Sequence, residues 1–267
     1  MEKVELTSVV QETLMIPLIG RAMETEEKNP RFRDRYAVEM VHRLDYNFEP
    51  LRKRMIRLMR KAVSARTVIY DKKVERFFRE NNGGICINIG CGLDTRYLRL
   101  KPANVTWYNI DYPEVIELRK KLIKEDENVI DIAKSALDFS WMNEINVKEE
   151  PVLILFEGVL MYFEENQVIN IMDEMSEYFH NASIIAEMVH PIVVKMSQDE
   201  DTPTDPQFHW GIKNPSELEI LCDGLKVDSV INTMDVLKKW EFLFKAVNCI
   251  PGFKKTYNMI VEMHFEK

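Results

Sequence analysis

The chain has 267 residues, 46% of them hydrophobic, with a formal net charge of −8 at neutral pH. That length supports one large core, and the acidic balance excludes a generic binder of nucleic acid or of an anionic membrane. Four cysteines, Cys86, Cys91, Cys222 and Cys249, form neither a C-x-x-C pair nor a His/Cys cluster with zinc-ligand spacing. A reducing, cytoplasmic setting without a metal is therefore expected. No basic-then-apolar leader and no apolar run of membrane-spanning length is read in the sequence.

Residues 6–80 are predicted to be helical. Leu51, Met55, Leu58, Met59 and Ala62 follow the helical period and make one apolar stripe. Arg52, Lys53, Arg54, Arg57, Arg60 and Lys61 make the opposite face, read as solvated surface. From Gly84 the texture changes to alternating strands and helices. Strands are expected at 85–89, 105–110, 129–133, 152–156 and 183–186, with helices from Pro113 to Leu122 and from Glu164 to Phe179. The run Val152-Leu153-Ile154-Leu155-Phe156 has the unbroken apolarity of a central parallel strand. Residues 190–215, polar and carrying Pro191, Pro203, Pro206, Pro215 and the acidic run Asp199-Glu200-Asp201, read as an inserted loop or lid. A short helix near 215–222, a strand near 227–231, a helix near 236–247 and a long final strand at 257–265 complete the chain. The alternation implies an α/β fold, a doubly wound, mostly parallel sheet with helices on both faces.

The segment Ile85-Cys86-Ile87-Asn88-Ile89-Gly90-Cys91-Gly92-Leu93-Asp94-Thr95-Arg96 is a buried strand breaking into a glycine turn. Thr95 stands where a dinucleotide fingerprint needs its third glycine. The turn therefore points away from a pyrophosphate cofactor and towards one with an adenosine but no phosphates. Ligands of doubly wound sheets sit beyond the carboxyl ends of the strands. Four groups map there: the Gly90 turn with Gly92, Asp111 about twenty positions on at the spacing of a ribose-binding acid, Asp138, and Glu157. Each also has a plain structural reading. Asp111 suits the positive end of the helix begun by Pro113, and Asp138 and Glu157 suit caps.

These blocks carry a family likeness. Asn88-Ile89-Gly90-Cys91-Gly92-Leu93-Asp94-Thr95-Arg96, Asp111-Tyr112-Pro113-Glu114-Val115-Ile116, Asp138-Phe139-Ser140-Trp141 and Glu157-Gly158-Val159-Leu160-Met161-Tyr162, in this order, resemble the leucine carboxyl methyltransferase family and its bacterial polyketide-type O-methyltransferase branch. Arg66-Thr67 with Asp71, and Thr13-Leu14-Met15-Ile16-Pro17-Leu18 with Arg21-Ala22, extend the likeness upstream. It implies the class I methyltransferase fold, a seven-stranded Rossmann-like sheet. The expected division is N-terminal helices over 1–82, a cofactor-binding core over 83–189, a lid or substrate insertion over 190–224 and the end of the sheet over 225–267.

The likeness also implies S-adenosylmethionine as cofactor, with S-adenosylhomocysteine as product. It places Arg66 on the cofactor's methionine carboxylate, Gly90 and Gly92 at its backbone approach, Asp111 on the ribose, Asp138 and Phe139 at the adenine, and Glu157 near the methionine or ribose end. A surface ion pair for Arg66 and core packing for Phe139 are the competing readings. Tyr162, His209 and Trp210 are the candidate substrate contacts, the last two in a Phe208-His209-Trp210-Gly211 block under the lid. Tyr162, His190 and His209 are candidate bases, needed for a hydroxyl acceptor but not for a carboxylate. The expected activity is O-methyl transfer to a carboxylate or hydroxyl of a polyketide-like small molecule. A protein C-terminal carboxyl methyltransferase and a non-catalytic cofactor binder are the alternatives, and the oligomeric state is left open.

Overall fold

A computed structural model describes residues 11–55, 57–124, 126–198, 207–240 and 256–266. Four helices come first: α1 (Gln11–Thr25), α2 (Arg35–Arg43), α3 (Glu49–Arg54) and α4 (Arg57–Asn81). The alternating part runs β1 (Gly84–Ile89), α5 (Arg96–Leu100), β2 (Val105–Asp111), α6 (Pro113–Leu122), β3 (Val129–Ala133), β4 (Val152–Phe156), α7 (Glu165–Tyr178), β5 (Ser183–Met188), α8 (Pro191–Ser197), α9 (Leu218–Leu221), β6 (Leu225–Asn232), α10 (Thr233–Trp240) and β7 (Met259–Phe265). The strands form one sheet in the order β3-β2-β1-β4-β5-β7-β6. β1 to β5 pair in parallel, and β7 runs antiparallel between β5 and β6.

Alternation along each strand gives the sheet two apolar faces. Ile85, Ile87, Ile89, Ile154 and Phe156 pack with Val168, Ile171, Met172 and Met175 of α7 on one side. Cys86, Trp107, Leu153 and Leu155 pack with Ile69, Tyr70, Val74 and Phe78 of α4 on the other. The Tyr70 hydroxyl also donates to the Phe156 carbonyl at 2.6 Å, which fixes α4 against the carboxyl end of β4. A third cluster joins α1, α2 and α3 to Leu118 and Leu122 of α6. The N-terminal helices are thereby built into the carboxyl edge of the sheet, where the glycine turn lies. No helix of the described residues is long and apolar enough to cross a membrane, and no cluster of metal-ligating side chains occurs among them.

The helical N-terminal region differs from its expected layout in two respects. Residues 6–10 and part of the 236–247 helix lie outside the described residues, as do Asp199-Glu200-Asp201, Pro203, Pro206 and Cys249. The expected single stripe through 51–62 is divided between two helices. Leu51 and Met55 are buried against α1 and α2, whereas Met59 is 40% exposed. Lys61 leaves the basic face altogether: its ammonium is buried and lies 3.0 Å from Glu24 Oε2. Within 190–215, residues 191–197 are helical because His190 caps them, its Nδ1 accepting from the Ile192 N–H at 3.1 Å, and Pro191 suits the first turn.

Glu24 ties α1 to α4. Its fully buried carboxylate accepts from Lys61 Nζ, from Ser64 Oγ at 2.9 Å and from the Arg31 N–H at 2.8 Å. Burial alone would raise this carboxyl, but the Arg31 amide, Lys61 and Ser64 together hold it below its ordinary value. Glu24→Ala leaves the Lys61 ammonium buried without its counter-charge. The expected cost is about 3–5 kcal/mol, read as a fall in the urea midpoint at unchanged m-value.

Candidate active site

At the carboxyl edge of β1 the chain turns through Gly90 and Gly92 with φ of +63° and +50°, a left-handed backbone that favours glycine. A Cβ at Gly90 would lie 2.3 Å from Val159 Cγ2. Glycine is required here by close packing against the loop after β4 as well as by the turn.

Four amides of this turn are already engaged. Gly90 and Cys91 both donate to the Ile110 carbonyl at 2.8 and 3.2 Å, Asp94 donates to the Cys91 carbonyl, and Gly92 donates to Asp111 Oδ2 at 2.8 Å. A pyrophosphate cradle needs such N–H groups free, so the turn has little to offer a dinucleotide. From behind, Arg119 Nη1 donates to the carbonyls of Gly92 and Asp94, and Arg21 Nη2 donates to that of Leu93.

Arg96 holds the turn to the rest of the site. Its guanidinium donates from Nε to Asp71 Oδ1 at 3.0 Å, from Nη1 to Asp94 Oδ2 at 2.6 Å and from Nη2 to Glu157 Oε2 at 2.6 Å. Arg99 adds a second guanidinium on Asp71, and Arg66 adds one on Glu157, its Nε lying 2.9 Å from Oε1. Burial works against charge on the Glu157 carboxyl, but Arg96 and Arg66 outweigh it and keep the group ionised below its usual range. The same balance, with burial opposed by Arg96, Arg99, Arg21 and Arg119, brings Asp94 down to about 2.

These elements enclose a cavity of about 260 Å³. Thr13, Leu14, Ile16, Pro17 and Arg21 of α1 cover it, the 90–94 turn forms its floor, and Arg66, Glu157, Gly158, Met161, Tyr162, Phe208 and Asn258 complete the wall. Of the residues singled out in the sequence, Arg66, Gly90, Gly92, Glu157 and Tyr162 therefore come together.

Asp111 stands one residue behind the wall. Its oxygens accept from the Gly92 and Tyr112 amides at 2.8 Å each. Burial raises its pKa despite those two bonds. Asp111 is in register with Ala133, the last residue of β3, so the segment leading to Asp138 leaves the sheet at the same edge. Asp138 itself is exposed and caps a 3-10 turn over Phe139–Glu144, accepting from the Ser140 N–H and from Ser140 Oγ at 2.6 Å. Phe139 is half-buried against the main core. Neither lines the cavity.

The acceptor-side candidates divide in the same way. Tyr162 lies in the wall with Phe208 edge-on to it, ring centroids 5.2 Å apart. Burial, with Glu187 nearby, pushes its hydroxyl up to about 12, so it stays protonated at neutral pH and serves as a donor, not a base. Trp210 is a buried core residue, and the amides of His209 and Trp210 both donate to the Met161 carbonyl. His209 turns outward to within 3.3 Å of Glu164, and His190 is occupied as a helix cap. In the Phe208-His209-Trp210-Gly211 block it is Phe208 that faces the cavity.

Three residues at the site carry no role that the sequence alone assigns. Arg96 was visible only as the polar end of the glycine motif. Glu187 fits the rule that found Asp111 and Glu157, an acid directly after an expected apolar strand, since it follows the strand expected at 183–186. Asn258 joins the site only through the antiparallel return of β7, which local pattern does not encode.

Two outcomes follow from these roles. Trp210→Ala is expected to cost about 3–5 kcal/mol of stability, whereas His209→Ala stays within about 0.5 kcal/mol; denaturant melts of the pair measure both. Arg96→Lys replaces a three-pronged fork by a point charge. Asp71 and Glu157 keep Arg99 and Arg66, but Asp94 loses the guanidinium it is paired with, so a loss of about 3 kcal/mol is expected in the same melts. Because the Asp94 pKa is depressed when folded, its contribution is complete above the ordinary aspartate range. In the wild type that contribution is lost only as pH falls towards about 2, and in Arg96→Lys the acid transition moves to higher pH.

The family model for leucine carboxyl methyltransferase matches residues 15–176. The chain is 27% identical over 237 residues to the tetracenomycin polyketide synthesis O-methyltransferase TcmP of Streptomyces glaucescens, covering 88% of this chain and 86% of that one. It is 30% identical over 251 residues to the S-adenosyl-L-methionine-dependent methyltransferase dpfgK of Gibberella zeae, covering 84% and 82%. Its fold matches a solved candidate methyltransferase of Thermobifida fusca with a TM-score of 0.59 at 12% identity, over 93% of this chain and 95% of that one. The chain belongs to the leucine carboxyl methyltransferase family of S-adenosylmethionine-dependent methyltransferases.

Proposed function

We propose that this methyltransferase acts on an oxygen of a small, polyketide-like molecule, and that its cofactor occupies the cavity between the glycine turn and Arg66. The observation that carries the reading is the placement of Arg66 between Glu157 and Glu187 at the edge of that cavity, 2.9 Å from each. A guanidinium there suits the methionine carboxylate. The carboxylates beside it suit the ammonium and the positive sulfur, because the cofactor carries a net positive charge and its product does not. Bound there, the cofactor supplies an electrophilic methyl group.

The chain's own residues do the rest by positioning and by excluding water. α1 covers the cavity, and Leu14, Ile16 and Met161 keep its wall apolar. Asp111 fixes the turn through Gly92 and has lone pairs left for the ribose hydroxyls. The adenine end lies towards β3, where Asp138 offers a polar edge and Phe139 an apolar face. Glu157, held ionised by two guanidiniums, serves charge complementarity and does not act as an acid.

A carboxylate acceptor needs no proton removed. For a hydroxyl acceptor, Tyr162 lines the cavity but stays protonated and the two histidines are engaged elsewhere, which leaves the carboxylates of Glu157 and Glu187 beside Arg66 to take the proton. The TcmP likeness favours a small acceptor over a protein terminus. The cover formed by α1 and Phe208 also favours it, since a peptide needs an open cleft.

Two measurements test the reading. S-adenosylhomocysteine at about one hundred times its Kd should add about 2.7 kcal/mol to the stability of the folded chain, visible as a higher Tm. NAD should give no shift, and Asp111→Ala should lose most of the S-adenosylhomocysteine shift. Labelled-methyl transfer to cell extract should then place the label in the small-molecule fraction. Label confined to protein would favour the chain-terminus reading, and no label in any fraction would favour a non-catalytic binder.

A further inference from the structure

A second cavity, of about 330 Å³, shares Arg66 and Asn258 with the first. Met59, Ala62, Val63 and Arg66 line it from one face of α4, at the spacing that stacks side chains on a helix. Met196, at the end of α8, faces them. Met59 is 40% and Met196 55% exposed. Two flexible thioethers at a lip adapt to varied apolar shapes, and neither belongs to a core cluster of the described residues.

The inner end is polar, and its polarity has a fixed sense. Glu187 is fully buried; it accepts from Arg66 Nη1 at 2.9 Å and, through its other oxygen, from Asn258 Nδ2. A carboxylate can only accept, so the Asn258 amide must turn its nitrogen to Glu187. Its carbonyl oxygen is left as the amide's polar atom for the cavities, and no described residue donates to it. The one guanidinium there, Arg66, is already paired with two carboxylates, Glu187 in this cavity and Glu157 in the adjoining one. That balance opposes a second anion and favours a neutral group with a hydrogen to donate.

We propose that this second cavity is the acceptor's chamber and that it takes an apolar, uncharged molecule bearing a hydroxyl, whose O–H donates to Asn258 Oδ1 when bound. As the methyl group arrives the O–H bond breaks, and its proton passes to the Glu187 carboxylate lining the same cavity. Glu187 also sets the amide. The proposal rests on the cofactor reading of the adjoining cavity. It moves the acceptor away from His209 and Trp210 and onto α4, α8 and the start of β7.

The test uses the full chain with 2-naphthol and 2-naphthoate, probes with the same apolar body that differ in being neutral or anionic at neutral pH. Their binding is followed by fluorescence and that of S-adenosylhomocysteine by calorimetry. The wild type should bind 2-naphthol about tenfold more tightly than 2-naphthoate. Met196→Asp, at an exposed position that does not endanger folding, should weaken 2-naphthol about fivefold or more and leave S-adenosylhomocysteine within about twofold. Asn258→Ala should reduce the preference for naphthol over naphthoate to about threefold or less.

Equal or tighter binding of 2-naphthoate, or 2-naphthol binding unchanged in both variants, would overturn the proposal while S-adenosylhomocysteine still bound. Loss of S-adenosylhomocysteine binding in the wild type itself would instead remove the cofactor reading, and with it the acceptor role.

Discussion

Arg96 is 2% exposed, and each of its three guanidinium nitrogens that donate meets a carboxylate from a different part of the chain. Asp71 comes from α4, Asp94 from the turn after β1, and Glu157 from the loop after β4. A buried charge is tolerated only when its partners outweigh the loss of water. Here a planar guanidinium, with its donors spread over three nitrogens, reaches three separate carboxylates at once, whereas an ammonium gathers its three donors on one atom. The partners are themselves shared, Asp71 with Arg99 and Glu157 with Arg66. One guanidinium thus fixes the floor of the cavity, the helix that carries Arg66 and the acid that faces it. A helix, a turn and a loop are thereby tied together at one point.

The glycine turn owes its form to this junction and to its packing, and only partly to the approach of a ligand. Gly90 is crowded by Val159, and Gly92 offers its amide to Asp111. The carbonyls that follow are bonded by Arg119 and Arg21. A turn whose amides are consumed internally suits a cofactor recognised by its charges and its nucleoside, and it suits a phosphate poorly. The absence of glycine at Thr95 has the same origin. Thr95 is buried, and its hydroxyl donates to Asp34 Oδ2 at 2.7 Å, joining the turn to the cap of α2.

The parallel strands were legible because burial on both faces writes unbroken apolar runs, and their carboxyl ends were legible because acids interrupt those runs. Asp111 and Glu157 were found in this way, and Glu187, the residue directly after the strand expected at 183–186, fits the same rule. Other features were not local. The division of the 51–62 stripe depends on which helices pack against it. The burial of Trp210 depends on its strap across Met161. The arrival of Asn258 beside Arg66 depends on β7 entering the sheet between β5 and β6. Asp138 shows the opposite case: its plain reading as a cap is what the hydrogen bonds display, and a nucleoside role for it depends on the shared edge of β2 and β3.

The electrostatic layout separates two tasks along one edge of the sheet. Around the turn, guanidiniums and carboxylates are paired with one another. Past Arg66, the wall becomes apolar and its exposed methionines are free to adapt. A charged nucleoside and a neutral acceptor would meet where the two surfaces join, at Arg66 and Asn258. The most direct measurement is a crystal structure of the chain with S-adenosylhomocysteine bound. The expected result is the amino-acid end at Arg66 and Glu157 and the ribose beside Asp111. Ligand density on another face, or a nucleoside bound with its amino-acid end away from Arg66, would contradict the account.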